Sequence, residues 1–338
     1  MNRILLCLRT FLYGLAVSFS QLLPAQDYQP ALTEHGQPDL SGVWNFSSST
    51  PLERPERYGE IEFLSDVDST VAGARAASRS ASPGPNPSRV IGAYNAYWND
   101  RTALQENERT SLIVHPANGR IPPVRDGVHV QLGGDITTDV DFGETRPVRY
   151  THGGIGRTGP EDRGLSERCL VFVSGPPLIT GYYNNHIQII QNADHVVLMV
   201  EMGWDARIVS LQDKPPIDAS IEQWSGDARG YWDGTTLVVE TRNFSDKVGS
   251  LSLRGIAYGT AKDRLLIERF TPLSPGVLEY EFTIDDPTTF TDKIVGISTM
   301  TKVEDNIYEF SCHSGNYAMM GILRAGRVEE ADAAARSN

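Results

Sequence analysis

From residue 109 to residue 312 the chain repeats one local pattern: a short run rich in β-branched and aliphatic residues, a turn sequence, and a second such run. Residues 109–125 read RTSLIV, HPANG and RIPPV; residues 186–202 read HIQIIQ, NAD and HVVLMVEM; residues 229–241 read RGYW, Asp233-Gly234 and TTLVVET. The form recurs at 264–284 around Ser274-Pro275-Gly276, and at 292–312 around Glu304-Asp305-Asn306. Asn, Asp and Gly accept the backbone angles of tight turns, so each unit is expected to be a β-hairpin. No convincing amphipathic helix separates these hairpins. A mostly β fold follows, an antiparallel meander of at least eight strands within residues 40–325 that closes into a barrel or stacks as a sandwich, the barrel being favoured. Alternation supplies it with a core face: Leu278, Tyr280, Phe282 and Ile284 share one side of their strand, and Glu279, Glu281 and Thr283 the other.

The first 25 residues have another character. Arg3 precedes an apolar stretch from Ile4 to Leu23 that only Arg9 and a few small polar residues interrupt, the profile of a signal peptide cleaved after Ala25. An uncleaved membrane anchor is the other reading of the same segment. The net charge of −13 becomes −15 without Arg3 and Arg9, so the mature chain repels phosphate backbones and no nucleic-acid partner is expected. No later segment is apolar enough to span a membrane, so no membrane association is expected after cleavage. A periplasmic or secreted location follows. Cys169 and Cys312 are the cysteines left in the mature chain, in a compartment where disulfides persist, and they are expected to pair, the alternative being two buried thiols.

The domain plan is therefore a signal peptide at 1–25, a single barrel domain at 26–325, and a flexible tail at 326–338. Two stretches interrupt the strand pattern: 66–92, rich in Ala, Ser, Gly and Pro, and 133–168, rich in Gly, Asp, Thr and Arg. Both are expected as loop-rich insertions, and long loops in compact domains are often lids or binding loops.

Several phrases carry a family resemblance: TPLERP at 50–55, RTSLIVHPANGRIPP at 109–123, ERCL at 167–170, YYNNHIQIIQ at 182–191, EMGWDARIV at 201–209, GDARGYWDGTTLVVETRNF at 226–244, YEFTIDDPTTFT at 280–291 and YEFSCHSGNYAMMGIL at 308–323. The chain resembles a family of exported bacterial proteins for which the resemblance implies no particular activity. Gly42-Val43-Trp44 is similar to the Gly-x-Trp signature that opens the first strand of lipocalin-type barrels, which implies a lipocalin-like barrel with Trp44 at its closed end. Two positions depart from the family pattern: Trp204 stands where a His precedes the Asp, and Ser314 where an acid follows the His.

Candidate chemistry gathers in two places. In Cys312-His313-Ser314-Gly315-Asn316-Tyr317, His313 follows a run that reads as a strand, where an imidazole at a cavity rim works as general acid or base; the alternative is a His bonded to a loop carbonyl. Glu201, Asp205 and Arg207 form the second group, with Arg207 as the natural partner for the carboxylate that ends an apolar strand; a structural ion pair explains them equally. The expected site has His313, Glu201 and Asp205 as catalytic groups, and Arg207, Asn184, Asn185, His186, Asn316, Tyr317 and Arg109 as substrate-binding groups, all on one concave opening. His152, His186 and His313 have no close metal-ligand spacing, so neither metal nor other cofactor is expected. The function expected is binding of a small, largely apolar molecule with cofactor-free acid/base chemistry on it, as a lyase, isomerase, cyclase or hydrolase. A non-catalytic carrier of a hydrophobic ligand and a glycan-binding module using Tyr94, Tyr97, Trp98, Trp224 and Trp232 are the alternatives.

Overall fold

The structure, a computed structural model, describes residues 28–65, 68, 109–132, 157–180, 184–253 and 256–337. The expected signal peptide, the expected insertion 66–92 apart from Asp68, residues 133–156 of the second, His152, Tyr94, Tyr97 and Trp98 lie outside the described residues. The strands are β1 (Gly42–Asn45), β2 (Ile113–His115), β3 (Val130–Leu132), β4 (His186–Gln191), β5 (His195–Val200), β6 (Ala206–Ser210), β7 (Asp227–Asp233), β8 (Thr236–Arg242), β9 (Leu251–Leu253), β10 (Ile256–Tyr258), β11 (Leu265–Ser274), β12 (Val277–Asp285) and β13 (Ile294–Val303).

Nine of them close into a barrel in the order β1-β4-β5-β6-β7-β8-β11-β12-β13, with β1 pairing both β4 and β13 to seal the ring. A ring in which every neighbour is antiparallel needs an even number of strands. The odd number is resolved at β6 and β7, which meet in parallel at Ser210 and Arg229 after the long connection 211–226. The mostly β meander expected from the turn pattern, closed into the lipocalin-like barrel that the Gly-x-Trp resemblance implies, is thus the fold observed, and the expected turns at 192–194, 233–234 and 274–276 join β4 to β5, β7 to β8 and β11 to β12.

Two expected hairpins are corrected. HPANG does turn, with the Gly119 N–H donating to the Pro116 carbonyl at 2.8 Å, but β2 pairs with β13, and Val124 makes only an isolated bridge to Phe290. After Val303 no strand returns along β13. One edge of β13 is occupied by β12, and the other is shared by β1 near Val303 and β2 near Val295, so no edge remains for a residue 307–312 strand.

The alternation read from β12 holds. Leu278, Tyr280, Phe282 and Ile284 are buried, and with Ile187, Leu198, Leu237 and Phe270 they fill the lumen. Trp44 joins this core and its Nε1 donates to the Leu40 carbonyl at 2.9 Å. The starts of β4, β6 and β11 and the ends of β5, β8 and β12 share one end of the barrel. Residues 163–180 lie over that end as a lid. Ser174 Oγ donates to the Met202 carbonyl at 3.2 Å, the Leu178 N–H to Tyr280 Oη at 2.9 Å, and Thr180 Oγ1 to the Phe46 carbonyl at 3.0 Å. The expected disulfide is present, joining Cys169 of the lid to Cys312 with a Cα–Cα distance of 5.8 Å.

The chain ends in a short helical turn, α1 (Cys312–Gly315), and a helix, α2 (Tyr317–Ser337). Residues 326–337 of the expected tail are the last part of α2. Ala, Glu and Arg dominate its sequence and are strong helix formers. Its one buried residue, Gly326, sits against Arg157.

Candidate functional site

The residues expected to share one opening fall on different sides of the wall. In β4, Ile187 and Ile189 face the core, so His186 stands on the outer side, and Glu201, just past β5, meets it there. His186 Nδ1 lies 2.9 Å from Glu201 Oε2, with the carboxylate side chain 3 % exposed and the imidazole 24 % exposed. The other carboxylate oxygen accepts the Tyr308 N–H at 2.9 Å. Burial pushes the Glu201 pKa up, yet the bonds from His186, from the Tyr308 amide and from Asn184, with the His186 charge, outweigh it and hold the group below the ordinary carboxylate range. Asn184 reaches this position with φ 57°, and the buried Asn185 accepts the Phe46 N–H on its carbonyl at 2.9 Å.

Arg207 points the other way. It shares the inward face of β6 with Val209, and its partner is Glu268, not Glu201. Nη1 donates to Glu268 Oε2 and Nη2 to Oε1 at 3.0 Å, a bidentate pair with side-chain exposures of 4 % and 0 %. Tyr280 Oη donates to Glu268 Oε1 at 2.8 Å while accepting the Leu178 N–H of the lid. Burial, reinforced by the Glu268 charge, raises the Tyr280 pKa well above that of a free phenol; burial alone would lower that of Arg207, but the charge of Glu268 raises it.

Three of the remaining candidates, Asp205, Arg109 and Asn316, hold loops in place. Asp205 accepts from Ser225 Oγ. Arg109 bonds Glu62 and lies over the Phe63 ring at 4.6 Å. Asn316 caps α2 by accepting the Met319 N–H at 3.3 Å, and its Nδ2 donates to the Glu167 carbonyl at 2.7 Å. Tyr317 is exposed. His313 is exposed on α1 beside the disulfide, with no side-chain partner among the described residues, since the segment before it is not a strand that could hold it at a rim. Among the described residues no three His, Cys, Asp or Glu side chains gather where a metal ion could be held.

Arg264 and Glu268 were not singled out in the sequence, although a signal existed: both share the inward face of the β11 register with Leu266 and Phe270. Arg264 is 3 % exposed, its Nη1 donates to the Ser250 carbonyl at 2.7 Å and Nη2 to the Pro176 carbonyl at 3.3 Å, and its guanidinium stacks 3.9 Å from the centre of the Phe244 ring. Burial lowers its pKa to about 10, against the opposing pull of Glu268 and Asp286. The residue lines a cleft between the lid and the 248–252 loop whose walls include Val171, Phe172, Ile179, Trp224, Val248 and Leu251. Its volume is about 30 Å³, room for two or three water molecules, and it opens to solvent. Phe172 joins this wall to the His186–Glu201 region. Its ring fills the space a side chain would take at Gly203, whose φ is 85°, and meets Phe310 edge-on at 5.2 Å. A second, polar groove of about 270 Å³ is lined by Arg125, Asp285, Asp286, Thr291, Asp292 and Lys293, with His115 Nε2 3.1 Å from Asp292 Oδ2.

Among the described residues, no helix is long and apolar enough to cross a membrane. Comparison with protein-family models, with curated proteins and with solved structures returned no match.

Proposed function

We propose that the protein is exported and that the lidded end of its barrel binds a small, largely apolar molecule. The observation that carries this reading is the cleft under the lid. Small-molecule sites are concave, mostly apolar and furnished with few polar groups, and this cleft combines aliphatic and aromatic walls with Arg264. Its position revises the expected mode of binding. With the lumen filled by core side chains, one end of the ligand enters the cleft and the rest lies along its mouth. The Cys169–Cys312 disulfide and the leader at 1–25 support export, since disulfides persist in oxidising compartments.

Native mass spectrometry of protein recovered from its own host without detergent tests the reading. A retained small-molecule adduct is expected, together with saturable uptake of an environment-sensitive apolar dye that Val248→Trp abolishes by filling the cleft. Bare protein that takes up no dye, or dye uptake indifferent to Val248→Trp, would overturn it.

The catalytic form of the reading, cofactor-free acid/base chemistry on the bound molecule, rests on the His186–Glu201 pair. A buried carboxylate fixed on one imidazole nitrogen orients the ring as a general acid or base, and Glu201 lies two residues from the glycine on which the Phe172 wall packs. Turnover of the retained molecule that survives both His186→Ala and Glu201→Gln would leave the protein a carrier.

A further inference from the structure

We propose that the end of the ligand that enters the cleft is a carboxylate, anchored by Arg264. The inference rests on the binding reading above and names the ligand class. Of the five N–H donors of this guanidinium, one goes to the Ser250 carbonyl and one to the Pro176 carbonyl, and the buried Nε has no acceptor among the described residues. No carboxylate lies within ion-pair distance among the described residues. Two of the other three buried arginines are met bidentately, Arg207 by Glu268 and Arg163 by Glu167, whereas Arg54, like Arg264, donates to a carbonyl, that of Ala117. Glu268 is already occupied by Arg207 and Tyr280, while Asp286 directs Oδ1 to Thr288 and Thr289 and keeps a buried Oδ2, unpartnered among the described residues and beyond ion-pair distance of Arg264.

Glu268 and Asp286 offset part of the Arg264 charge from a distance, but its direct contacts among the described residues are carbonyl dipoles and a ring face, and the planar fork matches a carboxylate. At neutral pH the group stays charged, because even its lowered pKa of about 10 lies above that range. The cleft, with a volume of about 30 Å³, has room for a small headgroup and not for a bulky one. Apolar walls suit a hydrocarbon or aryl body. The net charge of −13 repels polyanions at long range, which leaves a small monocarboxylate with an apolar tail as the class that fits every term.

The test uses the mature, oxidised protein and three probes of equal chain length, octanoate, octanamide and 1-octanol, followed by titration calorimetry and by tryptophan emission, to which Trp224 in the cleft contributes. Octanoate is expected to bind about 10- to 100-fold more tightly than the neutral probes, the worth of one charge-assisted hydrogen bond. Arg264→Met should erase that preference and Arg264→Lys should keep part of it. Equal affinity for all three probes would overturn the carboxylate inference while sustaining the apolar site. Binding of none would overturn both readings. A folded Arg264→Met that still prefers octanoate would remove Arg264 as the anchor. Should Arg264→Met not fold, the probe series on the unaltered protein still decides between acid and neutral ligand.

Discussion

Replacing Glu268 with Gln should be one of the most damaging isosteric changes available to this chain. Glu268 has 0 % and Arg207 4 % side-chain exposure, so the substitution keeps the shape and an amide oxygen for Tyr280 but leaves the Arg207 guanidinium buried without its counter-charge. Arg264 loses its largest source of opposite charge in the same step. Breaking a buried ion pair by removing one partner costs about 3–5 kcal/mol, because the surviving charge keeps its desolvation penalty. For a domain of this size that is roughly 6–20 °C in Tm. Urea unfolding of the oxidised protein, followed by circular dichroism and tryptophan emission together, measures the loss. The double variant Arg207→Met with Glu268→Leu should recover most of it, since apolar groups of similar volume remove both penalties at once. A Glu268→Gln protein within about 1 kcal/mol of wild type would refute this account, as would a double variant as unstable as the two single changes added together.

Glu201 has its pKa lowered on folding, so the stability it contributes is fully present above the unfolded value and is lost as pH falls through the lower folded value. The Tm gap between wild type and Glu201→Gln should therefore be constant near neutrality and close in acid; a gap that widens in acid would contradict the sign. Cys169 and Cys312 close a loop of 143 residues, and replacing both with Ser should cost about 2–5 kcal/mol, read as a shift in the urea midpoint, while intact mass with and without reductant should differ by two hydrogens. Gly203→Ala places a methyl in the Phe172 ring at a positive φ and should cost about 1–3 kcal/mol and speed hydrogen exchange in residues 171–178, with no change in exchange along β11. His313→Ala should leave Tm and ligand affinity unchanged within about 0.5 kcal/mol, because the ring is exposed and has no side-chain partner among the described residues; selective loss of binding would restore it to the site.

Much of the barrel was legible because its determinants are local. A turn such as Asp233-Gly234 between two β-rich runs needs no distant partner to be recognised, and the period of two in Leu278, Tyr280, Phe282 and Ile284 follows from the pleat. The two failed hairpins are tertiary matters. The run YEFSC at 308–312 has strand-like composition, but whether it pairs depends on a free edge, and β1 and β2 divide the free edge of β13 between them. Nothing within residues 307–312 encodes that competition. The α2 helix was missed for the opposite reason: its Ala-rich composition favours helix, but without the apolar stripe that usually announces one, since nearly every residue faces solvent.

The site divides along the same line between local and distant information. That a carboxylate closing an apolar strand needs a partner followed from Glu201 alone, and it has one. Which partner depended on the side of the wall, and the pleat already held the answer. His186 alternates with the inward Ile187, and Arg207 is in step with the inward Val209, so the imidazole can meet an outer carboxylate and the guanidinium cannot. Extending the same count to β11 places Glu268 inward between Leu266 and Phe270, a charge that must find an opposite charge inside the barrel. Arg207 is the inward cation on β6 that reaches it. Periodicity, applied to the charged residues as strictly as to the apolar ones, therefore separates an outer His–Glu pair from an inner Arg–Glu pair before any fold is known. It does not foresee that Arg264, two positions ahead of Leu266 on that inward face, would end on carbonyl oxygens beneath a lid contributed by a segment 88 residues earlier, because that arrangement exists only once the barrel has closed.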